Sequence, residues 1–468
     1  MTILYTSKYK RILFSICVLS LIINACKKQD DWLNVKSIKS DVTPKTMADF
    51  QAILDNATQF NTYGSIIGLM GTDNLYVPDV NLDAEPQLER NTYLWAKDIY
   101  QGATAYDWYY LYQSVEYANV VLDGLSKLKN LDGNQVQADN IKGQALFFRS
   151  FAFYQLSQLY CKPYNKATAT VDAGIPVRLT LDVNVKVSRG NVQQCYDQMI
   201  GDLKLAISLL ATSPLYKTRP AKPVANGLLA KVYLSMGDYL NAFNYADAAL
   251  KLNGDLLDFN TLSQTSTAPF PTFAQGNGEI GFYAYCYGTS MTVNASYALG
   301  KIDPNFYNTY DDSDLRRGLF FTTDGKGFYR PKAGFAARAN NFCGIANDEI
   351  YLIRSESAAR TANTVSALAD LNLLLQKRIT TAAFKPFTDT DPEALLSKIL
   401  SERRKELPLT GNIRWEDLRR LNQDPRFAKT LQRTYKGVTY TLAPNDNRYV
   451  LPLPVDEILL QGLQQNPR

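Results

Sequence analysis

The 468-residue sequence contains no histidine. That absence removes the Ser-His-Asp and Cys-His nucleophile pairs, His-ligated zinc and the histidine general base, which leaves carboxylates as the acid and base groups open to an enzyme. There is no CxxC pair, no P-loop and no dinucleotide-binding glycine fingerprint, so no residue pattern calls for a cofactor. Charge of one sign is also lacking. The 50 Lys and Arg stand against 45 Asp and Glu, and the net +5 falls to about +2 once Lys8, Lys10 and Arg11 are set aside. Nucleic-acid binding needs clustered basic charge, and none is present. No apolar run reaches the roughly 20 residues of a membrane span.

The longest apolar run is ILFSICVLSLIINA (Ile12 to Ala25), preceded by Lys8, Lys10 and Arg11 and followed by the polar KKQDDWLN. A short apolar core with basic residues before it and a small residue at its end is the pattern of a secretory signal. Ile23, Asn24, Ala25 and Cys26 resemble a lipobox, so Cys26 is the expected lipid attachment point. Two or three acyl chains contribute roughly 0.8 kcal/mol per buried CH₂, enough to tether a protein that does not span. Gln29, Asp30 and Asp31 resemble the export signal that sends lipoproteins of Bacteroidetes to the outer face of the outer membrane. Cys161, Cys195, Cys286 and Cys343 allow three pairings, but their isolation reads as buried small hydrophobes.

Helical periodicity is strong over Asp107 to Leu128 and Ile141 to Tyr160, and these form an expected antiparallel pair. A second pair is expected from Val192 to Leu210 with Pro223 to Leu252. Two more join Asp348 to Arg360 with Ala367 to Ile379, and Glu393 to Leu407 with Trp415 to Leu421. Within Pro223 to Leu252, Leu229, Ala230, Tyr233, Gly237, Tyr239, Ala242 and Ala249 fall at tetratricopeptide spacings, where small residues let two helices cross closely. Asn226 and Ala246 depart from that pattern. The other pairs match it poorly, which excludes a regular solenoid. Residues 69–101 and 253–347 carry much of the Gly, Pro, Asn and Tyr. Such long insertions are functional or disordered, and their aromatic content argues against disorder.

In this order, DWLNVKSIKSDV, YDWYYLYQSVEYANVVLD, ALFFRSFAFYQLSQLYCKPY, GIPV, SRGNVQQCYDQMIGDLKLAISLL, DSDLRRGLFF, DEIYLIRSESAAR, SERRKELPLTGNIRWEDLRRL and the closing YVLPLPVDEILLQGLQQNP resemble the SusD/RagB family of outer-membrane nutrient-binding lipoproteins. PLTGNIRW (Pro408 to Trp415) departs from the family, which more often has an aromatic and a glutamate before the glycine. The resemblance implies a mainly α fold: tetratricopeptide-like helix pairs forming a right-handed superhelical scaffold, with irregular loop-rich insertions and a few short strands. It divides the chain into a signal peptide (1–25), a helical region with the first two helix pairs (26–250), a loop-rich ligand-facing region (251–346) and a C-terminal helical region (347–468). It also implies a surface-exposed, lipid-anchored, non-catalytic protein that captures oligosaccharides or peptides for a SusC-like TonB-dependent barrel transporter. A carboxylate-dependent glycosidase and a periplasmic tetratricopeptide scaffold are the alternatives.

A sugar site needs flat apolar faces and polar groups around them. Candidates in the irregular stretches are Tyr93, Trp95, Tyr283, Tyr285, Tyr287, Tyr297, Tyr307, Tyr310, Phe328 and Tyr329, with Asp73 and Asn74 as hydroxyl partners. Alternation would put Tyr283, Tyr285 and Tyr287 on one strand face. The family resemblance favours Trp95, on the loop before the first helix pair. It also assigns Trp32, Trp108 and Trp415 to scaffold. Glu402 and Glu406 lie one turn apart among Arg403, Arg404 and Lys405, the pattern of a solvated ion-pair face. Asp311, Asp312 and Asp314 lack the glycine and final glutamate of an EF-hand loop. No metal or other cofactor is expected.

Overall fold

Long helices with apolar faces fold back on one another in the computed structural model, which describes residues 44–62, 64–128, 134–182, 184–293 and 295–468. The lipobox with Cys26 and the tract from Asp31 to Val42 lie outside the described residues. The chain divides into Met1–Asp49 and Phe50–Arg468. Helix α1 (Met47–Leu54) crosses that division, and short elements follow: α2 (Ala57–Asn61), α3 (Ile67–Met70), β1 (Leu75–Tyr76), α4 (Asp79–Ala84) and α5 (Gln87–Tyr93).

The first long pair is α6 (Tyr106–Lys127) against α7 (Gln135–Tyr160). Helix α7 has no single apolar stripe. Phe147, Phe148, Phe153, Leu156 and Leu159 point in several directions, and all are buried. A helix apolar all round must be covered all round, and α6 covers one side while α8 covers the other. Between them β2 (Ala173–Pro176) pairs with β3 (Arg189–Asn191). Helix α8 (Val192–Leu209) starts at a capping box: Asn191 Oδ1 accepts from the Gln194 amide, and Gln194 Oε1 accepts from the Asn191 amide. The helix expected to pair with the next segment thus packs first on the one before it.

Helices α9 (Lys222–Met236) and α10 (Tyr239–Leu252) form the tetratricopeptide-like hairpin. Gly237 has φ +73°, which a side chain would resist, and Asp238 caps α10 by accepting from the Asn241 amide. Ala230, Ala242 and Ala246 are fully buried, and Ala249 nearly so. Tyr233 stacks on Tyr245 at 5.6 Å and 11°. The next helix to touch α10 comes only after the insertion, which holds β4 (Ile280–Phe282), β5 (Tyr285–Cys286), β6 (Lys301–Ile302), α11 (Pro304–Tyr307), α12 (Leu315–Phe320), β7 (Phe321–Thr323), β8 (Tyr329–Pro331), β9 (Asn341–Phe342) and β10 (Ile345–Ala346). These strands pair antiparallel as β4 with β10, β5 with β9, β7 with β8, and β6 with β1. Phe259, Phe270, Tyr283, Tyr285, Phe335 and Phe342 give the insertion its own apolar cluster.

Helix α13 (Asn347–Arg360) then lands on α10 and carries α14 (Thr364–Arg378) and α15 (Pro392–Glu406) on its other sides. Helix α16 (Ile413–Leu421), the hairpin of β11 (Leu431–Tyr435) and β12 (Val438–Leu442), and α17 (Val455–Gln461) complete the chain. Among the described residues no helix is long and apolar enough to cross a membrane. The four described cysteines are buried and free. The fold sets Cys161 beside Cys195, and Cys286 beside Cys343; those contacts, with burial, push the Cys161 and Cys286 thiols well up.

The charged run of α15 corrects the solvated face expected for it. Glu402 and Glu406 are 1% and 3% exposed. Arg316 of α12 contacts Glu402 at 2.5 Å, Glu406 at 3.0 Å and Asp314 at 2.8 Å, while Arg378 of α14 reaches Glu406 and Glu279 at 2.6 Å each. Pairing across elements, and not only along the helix, is what lets α15 bury its charges. The same network ties the insertion to the helices.

Candidate functional site

Tyr106, Trp108, Tyr109, Tyr110 and Tyr112 crowd the first turns of α6. A helix can turn only part of its circumference inward, so some of these rings must face out. Trp108 is buried, whereas Tyr106 and Tyr109 are more than half exposed. Tyr106 and Tyr110, four residues apart and therefore on one face, stack at 5.6 Å and 15°. Across from them Tyr287 follows β5 and is 55% exposed.

Tyr106, Tyr110 and Tyr287 line one open cleft. Ile66 with Ile67 and Met70 of α3, which it precedes, and Leu88 from α5 supply its apolar side. Gly64 is also at its wall, where a Cβ would run into the Cys343 sulfur. Asp107, Glu89, Thr104 and Thr289 bring polar groups. Burial pushes the Asp107 carboxyl up from its ordinary value, against the hydrogen bonds it accepts from Ser65 Oγ and from backbone amides at Ile66 and Ile67. Near-parallel rings above an apolar floor, with hydrogen-bonding groups at the edge, are chemically suited to the CH face and hydroxyls of a sugar.

The residues singled out from the sequence fall elsewhere, with one exception. Trp95 is 3% exposed, at φ +54°, and its indole N–H donates to the Gly71 carbonyl at 2.9 Å. Tyr93 is equally buried, its hydroxyl accepting from the Val77 amide at 3.0 Å. The Arg433 guanidinium covers both rings, 3.5 Å from the Tyr93 centroid and 4.5 Å from that of Trp95. Neither ring presents a face to solvent, which corrects their assignment as stacking platforms. Asp73 is held by Arg414 at 2.8 Å, Lys429 at 2.7 Å and Arg404 at 3.1 Å, and these cations keep its carboxyl well below the usual range in spite of burial. Asn74 is fully buried, donating to Pro408 O and accepting from Arg404 Nε. Both serve to join the chain's early segment to α15 and α16.

Tyr283 and Tyr285 are each 9% exposed; the Tyr283 hydroxyl donates to Ala336 O, and Arg338 sits 4.4 Å over the Tyr285 ring. Tyr283, Tyr285 and Tyr287 do follow one another along one face, with ring centroids 6.0 and 5.9 Å apart, but the first two are buried in the insertion's cluster and only Tyr287 emerges from it. Tyr297 is 69% exposed on the loop whose Leu299 amide donates to Ser290 O, but it does not line the cleft. Tyr106, Asp107 and Tyr110 were concealed within a helix that reads as scaffold. The signal for them is the density of aromatics in YDWYYLY, more than one buried face can take.

Carboxylates do converge at one place. Oxygens of Glu279, Asp348 and Glu406 lie within 4.8 Å of one another, close enough to ligate a cation. Arg378 already bonds two of the three. Burial raises Glu279 to about 7 and Asp348 well above its ordinary value. These oxygens sit closer together than the roughly 5.5 Å or 6.5–9.5 Å of glycosidase pairs. Asp314 is likewise committed to Arg316 and Lys405, and Asp312 to Arg317.

Residues 31–234 match the family model described as "Starch-binding associating with outer membrane", of the SusD-like group. The chain is 23% identical to SusD-like protein P2 of Formosa agariphila, over 89% of this chain and 91% of that one. Among solved structures it is similar to a SusD superfamily protein from Bacteroides thetaiotaomicron, with TM-score 0.71 and 22% identity over 90% of this chain and all of that one. It is also similar to a SusD-like carbohydrate binding protein from Bacteroides vulgatus, with TM-score 0.69 and 21% identity over 90% of this chain and 97% of that one. An N-terminal match to the SusD-like model, a SusD-like relative of nearly equal length and a shared mainly helical fold make the chain similar to SusD-like proteins along nearly its whole length.

Proposed function

We propose that this protein is a non-catalytic, lipid-anchored binding protein of the outer-membrane surface, which takes oligosaccharides in the cleft of Tyr106, Tyr110 and Tyr287 and passes them to a SusC-like TonB-dependent barrel. The carrying observation is the cleft itself: exposed rings from two distant segments above an apolar floor, with Asp107, Glu89, Thr104 and Thr289 around it. The family description and the carbohydrate-binding relative support a sugar over other ligands. Anchoring through Cys26 and delivery to a barrel rest on the sequence resemblance. Two of the three carboxylates that converge, Glu279 and Glu406, are held by Arg378, which favours binding without hydrolysis.

Titration calorimetry of the purified protein against a panel of neutral and acidic oligosaccharides and peptides tests the reading. Saturable binding of at least one glycan, weakened in Tyr287→Ala, is expected. Binding only to peptides would replace the ligand class, and release of reducing sugar by the purified protein would overturn the non-catalytic role. Protease shaving of intact cells should remove the protein if it faces outward.

A further inference from the structure

The tyrosines at the start of α6 face two hollows. Tyr106 and Tyr110 line the cleft already described, whereas Tyr109 lines an open groove among α6, the segment after β2 and α17. Tyr109, Gln113 and Glu116 recur at four and three residues and so share one face of α6. Helix α17 brings Glu457 and Gln461, one turn apart, to the same groove, and Leu181 and Val187 of the segment after β2 add apolar surface.

Hydrogen bonds fix these walls. The Tyr112 hydroxyl donates to Pro176 O at 2.9 Å and Asn119 Nδ2 to Arg178 O at 3.0 Å, which fastens the segment after β2 to α6. Arg178 holds its own loop by donating to Asp182 O at 3.1 Å and Val185 O at 3.0 Å. With that guanidinium spent on carbonyls, the groove offers a ligand the Glu116 and Glu457 carboxylates and the Gln113 and Gln461 amides. Carboxylates and carboxamides beside an aromatic ring accept from hydroxyls and disfavour an anion, which makes an uncharged glycan their complement.

Tyr109 also joins the two hollows. Its ring meets that of Tyr110 edge to face at 5.3 Å and 69°, and Tyr106 and Tyr109, both more than half exposed, form the crest between them. A helix is about 10–12 Å across with its side chains, so a ligand seated on both sides of this one must be longer than a disaccharide.

We propose that the groove is a second subsite for the same ligand: a neutral oligosaccharide of several units that lies in the tyrosine cleft, crosses α6 over Tyr106 and Tyr109, and continues along Gln113 and Glu457. Resting on the glycan reading of the cleft, the subsite adds to it a minimum ligand length and a preference for uncharged chains.

Calorimetry of the purified protein against malto-, cello-, xylo- and manno-oligosaccharides, each from disaccharide to octasaccharide, with oligogalacturonides as the acidic counterpart, tests the subsite. At least one neutral series should gain about tenfold or more in affinity between the disaccharide and the hexasaccharide. Tyr109→Ala should cost the hexasaccharide about fivefold and the disaccharide less than about twofold, whereas Tyr287→Ala should weaken both. Gln113→Ala, on the groove side alone, should cost the hexasaccharide about threefold, and it serves as the measurement should Tyr109→Ala disturb Tyr110. Affinity that does not rise with length, or a hexasaccharide bound equally well by both groove variants, overturns the subsite and leaves the cleft in place. A gain with length confined to oligogalacturonides overturns the neutral class. Absence of saturable binding in every series overturns the cleft reading and the subsite together.

Discussion

The hairpin of α9 and α10 and the insertion that follows it are neighbours in the chain but cohere in different ways. The hairpin is held by close approach: Ala230, Ala242 and Ala246 are fully buried, Gly237 turns the chain, and Asp238 starts the next helix. Everything it needs lies within a short stretch of sequence. The insertion has strands of only two or three residues and relies on charges supplied from outside it. Glu279, Asp314 and Arg316 reach Arg378, Glu402, Lys405 and Glu406, which come from helices far along the chain. Local periodicity therefore organises the first region, and long-range compensation of buried charge organises the second. A charge lattice of this kind fixes the insertion against the helices, and so fixes the strand end that carries Tyr287.

Breaking the lattice should have the largest effect. Arg316→Ala leaves Asp314, Glu402 and Glu406 short of a shared cation, and urea unfolding should show a loss of about 3–5 kcal/mol. Arg219→Ala, which removes a partly exposed pair with Asp55, should cost no more than about 1 kcal/mol in the same measurement. Comparable losses in the two variants would erase the distinction between lattice and surface pairing.

Acid should act on the same lattice in a defined direction. Arg316 is the main attraction that draws Glu402 down to about 2 against the cost of burial, so its contribution is present above the unfolded carboxyl value and is lost as pH falls from about 4.5 toward 2. Glu279, raised to about 7 by burial, acts oppositely: protonation favours the fold, and that contribution is lost as pH rises from about 4.5 through 7. Unfolding free energies measured across this range should lose their acid-side slope in Glu402→Gln, and their decline between pH 4.5 and 7 should flatten in Glu279→Gln.

The hairpin is sharpened by overpacking. Ala242→Leu should destabilise the protein by about 1–3 kcal/mol in thermal or urea unfolding, since its site has no room to expand. The smallest effect on stability belongs to the cleft. Tyr106→Ala removes a ring already more than half in water, so unfolding should change by less than about 0.5 kcal/mol. The affinity for a bound glycan should nonetheless fall by about 1 kcal/mol, roughly fivefold, in calorimetry.

Much of the frame was legible in the sequence. The expected helices exist within a few residues of their expected ends, apart from α7, which begins earlier; three of the four expected pairs pack, α8 lies on α7 before α9, and α16 packs on α3 and not on α15 as expected. A 3.6-residue repeat of apolar positions reports directly on which face a helix buries. The site was much less legible. Trp95 and Tyr93 stand in an irregular stretch, as binding aromatics often do, yet Arg433 from the distant β11 lies over both. Tyr106 and Tyr110 stand in a regular helix, as core aromatics often do, yet the cleft opens over them. Exposure of a single ring depends on what another part of the chain places against it, and composition does not carry that information.

By itself the sequence determined the mainly helical frame, the tetratricopeptide-like crossing at α9 and α10, and the resemblance carried by the order of its motifs, because each is written in local spacing of side-chain size and polarity. Only the tertiary structure decided which tyrosines line the cleft, that Glu402 and Glu406 are core residues, and that Arg433 covers Tyr93 and Trp95. Those three outcomes depend on burial and on the electrostatic partner of each group, both of which are supplied by residues remote in the chain.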